Sequence, residues 1–183
     1  MNNKGFLKLY TVEDDYIQDL QTNIDVHVFA NIDSKYVHSR KYLGIVLQIN
    51  GFSYYAPISS PKESDYILIN GNKVIRNSII PIIRMTETDQ NGNRSLMGTI
   101  KLSNMIPVPD DKIRIYDLDN EADKEYKDLV LKEKRFINRN EEMIVAYAER
   151  LYKEKNEGKA QKGYLANTFE FIKFEDYIKS KKS

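Results

Sequence analysis

An Asn-Gly pair between two apolar runs constrains this chain more than any other feature. Residues 41–62 read Lys-Tyr-Leu-Gly-Ile-Val-Leu-Gln-Ile-Asn-Gly-Phe-Ser-Tyr-Tyr-Ala-Pro-Ile-Ser-Ser-Pro-Lys. Asn50 and Gly51 both accept the positive φ of a type I′ turn, so the runs are expected to fold back on each other as a hairpin. Tyr42 to Ile49 is apolar almost throughout, which suits a strand buried on both faces. Phe52 to Pro57 is aromatic-rich and stops at Pro57, whose missing N–H should weaken or end pairing there.

Beyond the hairpin, Ser59-Ser60-Pro61-Lys62 sets two hydroxyls and an ammonium at the exit of a stiff sheet. Hydroxyls and a cation on a short loop can cradle a phosphate. The same residues also suit a plain Ser-Pro turn whose hydroxyls bond their own backbone.

The rest of the chain places this hairpin in an α+β layout. Leu7 to Val12 reads as a strand. Glu13-Asp14-Asp15 opens a helix to about Thr22, with Tyr16, Ile17 and Leu20 on one face. Residues 23–40 show no period and carry both histidines, His27 and His38; long ordered connections of this kind are often functional. Tyr66 to Ile69 is a further strand, followed by a turn at Asn70-Gly71-Asn72. Val74 to Met85 reads as one irregular strand containing Pro81. Leu96 to Leu102 and Met105 to Val108 complete the strands.

From Asp117 the period becomes helical. Tyr126, Leu129, Val130, Phe136 and Ile137 form one stripe, interrupted at Glu133. Asn138 or Asn140 caps a second helix that buries Met143, Ile144, Tyr147, Ala148 and Leu151. A last helix spans about Phe174 to Ser180. Strands first and helices later predict one domain over 1–183, β-rich from about 5 to 109 and helical from about 117. Its core is a compact antiparallel β-sheet or barrel with one early helix and C-terminal helices.

Composition narrows the chemistry. The 183 residues contain no cysteine and only two histidines, so thiolate zinc sites, disulfides and cysteine nucleophiles are absent and no metal site is expected. No glycine spacing matches a nucleotide fingerprint, and no Gly-x-Ser-x-Gly elbow occurs. There is no apolar run long enough for a membrane span and no signal core behind Met1–Gly5, so the cytoplasm is the expected address. Net charge is +1, so a nucleic-acid partner would be met by local basic patches. Thirteen tyrosines fit base stacking, but most read as core or sheet-face residues.

What remains is Tyr36, His38, Arg40, Ser59, Ser60 and Lys62, lying just before and just after one hairpin. If its strands pair directly, both groups line one cleft. A tyrosine, cations and hydroxyls suit a phosphodiester. RNA needs no external nucleophile, because its own 2′-OH can attack. The protein then has only to orient the backbone, move two protons and stabilise phosphorane charge.

At these residues the sequence resembles the ToxN/AbiQ endoribonucleases, the toxins of type III toxin–antitoxin systems. Lys8-Leu9-Tyr10-Thr11-Val12 resembles the family's opening strand, and Tyr42 to Gly51 its central strand and turn. Tyr55-Ala56-Pro57-Ile58-Ser59-Ser60-Pro61-Lys62 resembles its Ala-Pro-Leu-(Thr/Ser)-Ser-Pro-Lys signature, and Met105-Ile106-Pro107-Val108 its Met-Ile-Pro block. The likeness runs in order to about Pro109; the helical tail is similar only in kind.

The resemblance implies a β core like that of the Kid/MazF toxins. It implies metal-independent RNA cleavage, without cofactor, that leaves a 2′,3′-cyclic phosphate and a 5′-OH. It also implies a small repeat RNA antitoxin, folded as a pseudoknot, that blocks the site within a closed ring of alternating protein and RNA. Site positions fall on Ser59, Ser60 and Lys62 without gaps. Counting back from the central strand, the family's tyrosine falls on Tyr36 and its lysine on Arg40. On this pattern Lys62 meets the scissile phosphate or shuttles a proton, the serines donate to its oxygens, and Tyr36 and Arg40 hold the adjacent backbone, with Tyr36 a candidate acid. Arg40 departs from the family: a guanidinium clamps phosphate but does not give up its proton to act as a base. Lys41 can stand in for it, and His38 adds an imidazole beside the RNA path. Two other readings stay open on residues alone. One is a small-barrel module that grips RNA or protein without cutting. The other is a toxin that acts on a protein such as gyrase, which predicts no cleaved RNA.

Overall fold

The computed structural model describes residues 7–31, 38–158 and 163–182. Among them the strands are β1 (Lys8–Val12), β2 (Tyr42–Ile49), β3 (Phe52–Ser59), β4 (Tyr66–Ile69), β5 (Asn72–Ile75), β6 (Ile82–Thr88), β7 (Arg94–Lys101), β8 (Ile106–Pro107) and β9 (Ile113–Ile115). The helices are α1 (Asp14–Asn23), α2 (Lys124–Arg139), α3 (Glu141–Glu157) and α4 (Phe171–Lys182). Seven strands form one antiparallel sheet in the order β6-β7-β3-β2-β1-β9, with β8 also on β3; β4 and β5 form a separate hairpin. The path is open, with β6 and β9 at its ends, so of the expected sheet or barrel the sheet forms. No helix among the described residues is long and apolar enough to cross a membrane.

The central hairpin forms as its turn chemistry requires. Asn50 and Gly51 take φ 53° and 77°, and β2 pairs with β3 from Ile49↔Phe52 to Tyr42↔Pro57. Asn70 and Gly71 repeat the device between β4 and β5, with φ 50° and 79°. One glycine in β2 is required for space: a Cβ on Gly44 would lie 2.1 Å from the Tyr55 ring.

Pro57 does not end its strand. Successive N–H groups of an antiparallel strand point to opposite sides. The Ile58 N–H donates to Lys41 O at 2.9 Å, toward β2, so the Pro57 nitrogen faces away from β2. On that far side β3 changes neighbour, from β8 at Tyr54 and Tyr55 to β7 at Ile58 and Ser59. The proline falls where the neighbours change and no ladder bond is lost. Its consequence is functional, since Ser59 remains inside the sheet and only Ser60 leaves it.

Three other boundaries differ from expectation. Val74 to Met85 is not one strand: β5 ends at Ile75, and Pro81 immediately precedes β6. The short β9, set among charged residues, pairs with β1 and left no period to read. The last helix begins at Phe171, because Phe171 and Phe174 are both fully buried anchors.

The helices cover the sheet, with α2 on β6 and β7, α3 on β2, and α4 on β8. Tyr16, Tyr42, Tyr54, Tyr55 and Tyr152 are buried, which absorbs much of the tyrosine surplus into the core. Tyr54 and Tyr152 each donate to Glu175 Oε1 at 2.7 Å, which satisfies a carboxylate that is only 1% exposed. Asn50 Nδ2 reaches the Tyr152 hydroxyl at 3.1 Å, so the hairpin turn is tied to α3. The tip of the hairpin is thereby anchored to the helical layer.

Candidate active site

Pairing of Tyr42 with Pro57 brings the two flanks of the hairpin together. Arg40 Nη1 donates to Ile58 O at 3.0 Å and to Ser59 Oγ at 3.1 Å. Its Nε donates to Ala30 O at 3.0 Å, and its guanidinium carbon sits 4.6 Å above the Phe29 ring. A planar fork held on three sides is a fixed cation. A cleft of about 380 Å³ opens here, and Arg40, Ser59, Ser60 and Lys62 all line it. His38 and Lys41 line it too. Tyr36 lies outside the described residues.

Lys62 has an exposed side chain and an anchored backbone. Its N–H donates to Asp65 Oδ2 at 2.9 Å, and its carbonyl accepts from the Asp65 N–H at 2.9 Å. Asp65 is itself 1% exposed and is bonded by Arg84, with Nε and Nη2 each 3.1 Å from Oδ1. Arg84 belongs to β6, so the sheet edge sets the position of the Ser-Pro-Lys loop. Lys101, at the end of β7, lies within electrostatic reach of Lys62. Burial holds the Lys101 ammonium below its usual pKa, and Lys62 and Arg84 add repulsion against the pull of Asp65.

Lys41, expected as an RNA contact, lines the cleft from a buried position. Its side chain is only 6% exposed, and its ammonium donates to the Tyr126 hydroxyl. Burial pushes the Lys41 amine below its usual range, against the pull of Glu133 and Glu121. Glu133 lies beside it at 3% exposure, and burial raises its carboxyl to about 7 in spite of Lys41. Desolvation therefore outweighs attraction on both partners. Glu133 Oε2 has no hydrogen-bond partner among the described residues. A Cβ on Gly98 would lie 2.8 Å from Glu133 Oε1 and 3.1 Å from Ser59 O, which places the carboxyl close behind the serine strand.

His38 stacks flat on Tyr126, with centroids 3.6 Å apart at 3°. Its Nε2 is 3.2 Å from Asp123 Oδ2, and its Nδ1 is 3.9 Å from Glu121 Oε2. Asp123 also caps α2, accepting from the Tyr126 N–H at 3.1 Å, so one carboxylate orders both rings. The Tyr126 bond and His38 hold the Asp123 carboxyl below its usual range. Tyr126 and Glu133 are the site residues that sequence reasoning passed over. The one trace of them was the break at Glu133 in an otherwise apolar helical stripe.

A sequence profile of the family described as "Toxin ToxN, type III toxin-antitoxin system" matches residues 8–179. The chain belongs to the ToxN family. Endoribonuclease ToxN of Pectobacterium atrosepticum is 29% identical over 155 residues, spanning 85% of each chain. Endoribonuclease AbiQ of Lactococcus lactis subsp. lactis is 29% identical over 107 residues, 58% of this chain and 54% of AbiQ. Among solved structures, a chain from work on a processed non-coding RNA that regulates a bacterial antiviral system superposes with a TM-score of 0.77 at 29% identity. The match covers 94% of this chain and 98% of the other. A second comes from a type III toxin–antitoxin system with selective toxin inhibition by a non-coding RNA pseudoknot. It gives a TM-score of 0.74 at 25% identity, covering 97% and 98%. The ToxN match runs through α2, α3 and most of α4, so the family's extent includes α2, the helix that walls the cleft.

Proposed function

We propose that this ToxN-family chain is the endoribonuclease toxin of a type III toxin–antitoxin system, and that the cleft at the open end of the β2–β3 hairpin is where RNA is cut. The observation that carries the reading is the convergence of Arg40, Ser59, Ser60 and Lys62 on that cleft. Arg40 is a locked cation, Ser60 an exposed donor, and Lys62 an exposed ammonium on an anchored backbone. Such a set suits a phosphate and the charge that grows on it during displacement.

Catalysis proceeds by attack of the ribose 2′-OH on the adjacent phosphorus. Lys62 and Ser60 bind the non-bridging oxygens, and the charge that develops there is met by donors already in place. Ser59, held by Arg40 within the sheet, keeps the guanidinium aimed at the backbone next to the scissile bond. Tyr36 joins Arg40 in holding that backbone. The products are a 2′,3′-cyclic phosphate and a 5′-OH, and the protein supplies no nucleophile and no metal ligand to the step. In the cytoplasm the toxin is silenced by a pseudoknot RNA that occupies the same cleft. The chain carries a net charge of only +1, so that grip rests on local cations such as Arg40, Lys62 and Lys101.

The test is cleavage of total RNA by the purified protein in EDTA, with end analysis of the fragments. Fragments with a 5′-OH that polynucleotide kinase labels directly are expected. RNA left intact, or fragments with 5′-phosphates, would overturn the reading.

A further inference from the structure

We propose that Tyr126 is the catalytic acid, donating its phenolic proton to the departing 5′ oxygen, with the buried Lys41 ammonium behind it as its proton source. This rests on the cleavage reading above and names a group for a step which that reading leaves unassigned.

The geometry of Tyr126 suits the role. It lines the cleft together with Ser59, Ser60 and Lys62, so Tyr126 and the phosphate-directed groups border one space. Its oxygen accepts from Lys41 Nζ, and an oxygen that accepts from an ammonium must point its own O–H elsewhere. The ring has little freedom to turn: one face is covered by His38 at 3.6 Å, and the Tyr126 N–H is capped by Asp123 at 3.1 Å. Preorganisation of this kind is what proton transfer at a developing charge requires.

The other cleft groups are less suited. Arg40 is committed to Ile58 O, Ser59 Oγ and Ala30 O, and its guanidinium holds its proton. Both His38 ring nitrogens face carboxylates, Asp123 and Glu121. Glu133 lines the cleft but is only 3% exposed, and its Oε2 is buried without a hydrogen-bond partner among the described residues. The titration trends agree with the geometry. Burial first, then Glu133, Glu121 and Asp123, raise the Tyr126 phenol and keep it protonated. Burial lowers Lys41, which makes its proton easier to give.

The step balances as follows. The 2′-oxygen forms its bond to phosphorus and releases its proton to water at the open side of the cleft. The bond from phosphorus to the 5′ oxygen breaks, and that oxygen takes the Tyr126 proton. The phenolate takes a proton from Lys41, and solvent reprotonates the amine once the product has left.

The experiment compares two linkages in an oligoribonucleotide at the position the wild-type protein cuts. One is the ordinary phosphodiester. In the other, sulfur replaces the 5′ bridging oxygen, so that a thiolate departs without needing a proton. Tyr126→Phe keeps the ring and its stacking on His38. It should lose about a hundredfold on the ordinary linkage and less than about threefold on the sulfur linkage. Lys41→Met should show the same split. Tyr126→Phe within threefold of wild type on the ordinary linkage, or equal losses on both linkages in both variants, would overturn the assignment. Wild-type protein that leaves RNA uncut, so that no such position is found, would overturn the cleavage reading, and this assignment with it.

Discussion

Lys62→Ala is expected to slow RNA cleavage by two to three orders of magnitude while leaving the fold unchanged. The separation of effects follows from how Lys62 is held. The bonds that fix it use its backbone N–H and carbonyl, both to Asp65, and alanine keeps them. Asp65 stays paired with Arg84 in β6 in the variant as in the wild type. What disappears is an exposed ammonium in the cleft and its contact with phosphate charge. Ser60→Ala should behave in the same way with a smaller loss, about tenfold to a hundredfold, because a neutral hydroxyl donates a weaker bond than an ammonium. Single-turnover cleavage of a labelled RNA, paired with thermal unfolding, measures both halves. If both variants cleave at the wild-type rate, the site is misplaced.

Glu133→Gln is expected to stabilise the protein at alkaline pH by about 3 kcal/mol and to change little at acid pH. Burial raises the folded carboxyl to about 7 from an ordinary 4.5. Below about 4.5 the folded and unfolded chains both hold the proton, and the group does not affect stability. Between there and about 7 the unfolded chain releases the proton while the folded chain keeps it, so stability falls as pH rises. Above about 7 both are ionised and the loss is complete, at about 3 kcal/mol for a shift of this size. Glutamine mimics the protonated carboxyl and removes that loss. For a chain of this length the gain at pH 8.5 corresponds to roughly 6–12 °C in Tm, shrinking toward zero at pH 4.5. Equal stability of variant and wild type at pH 8.5 would mean that Glu133 is solvated or fully paired in the folded protein.

How much of this was legible in the sequence depended on whether the signal was local. Asn50-Gly51 and Asn70-Gly71 were readable because two adjacent residues carry the whole requirement for positive φ. That the flanks carrying Arg40 and Ser59 meet was readable from the hairpin, whereas the bond between the two side chains was not. Pro57 was misread because a missing N–H matters only if a strand lies on its side, and that depends on β7 and β8, more than 35 residues away in sequence. Tyr126 and Glu133 were missed for a related reason. On the helical period they belong to one buried stripe, and only the docking of α2 on β6 and β7 turns that stripe into a cleft wall. Lys41 read as a stand-in for Arg40 because it is the adjacent cation in sequence. Burying it required Tyr126 and Glu133 to arrive from α2.

The reading in which ribose severs its own chain is tested most directly by changing one atom of substrate. An oligoribonucleotide carrying the cleavage site would be made with a single 2′-deoxyribose 5′ to the scissile phosphate, and incubated with wild-type protein in EDTA. The deoxy linkage should stay intact while the all-ribose control yields a 2′,3′-cyclic phosphate end. Cleavage of the deoxy linkage at a rate comparable to the control would contradict it, because another nucleophile would then be at work.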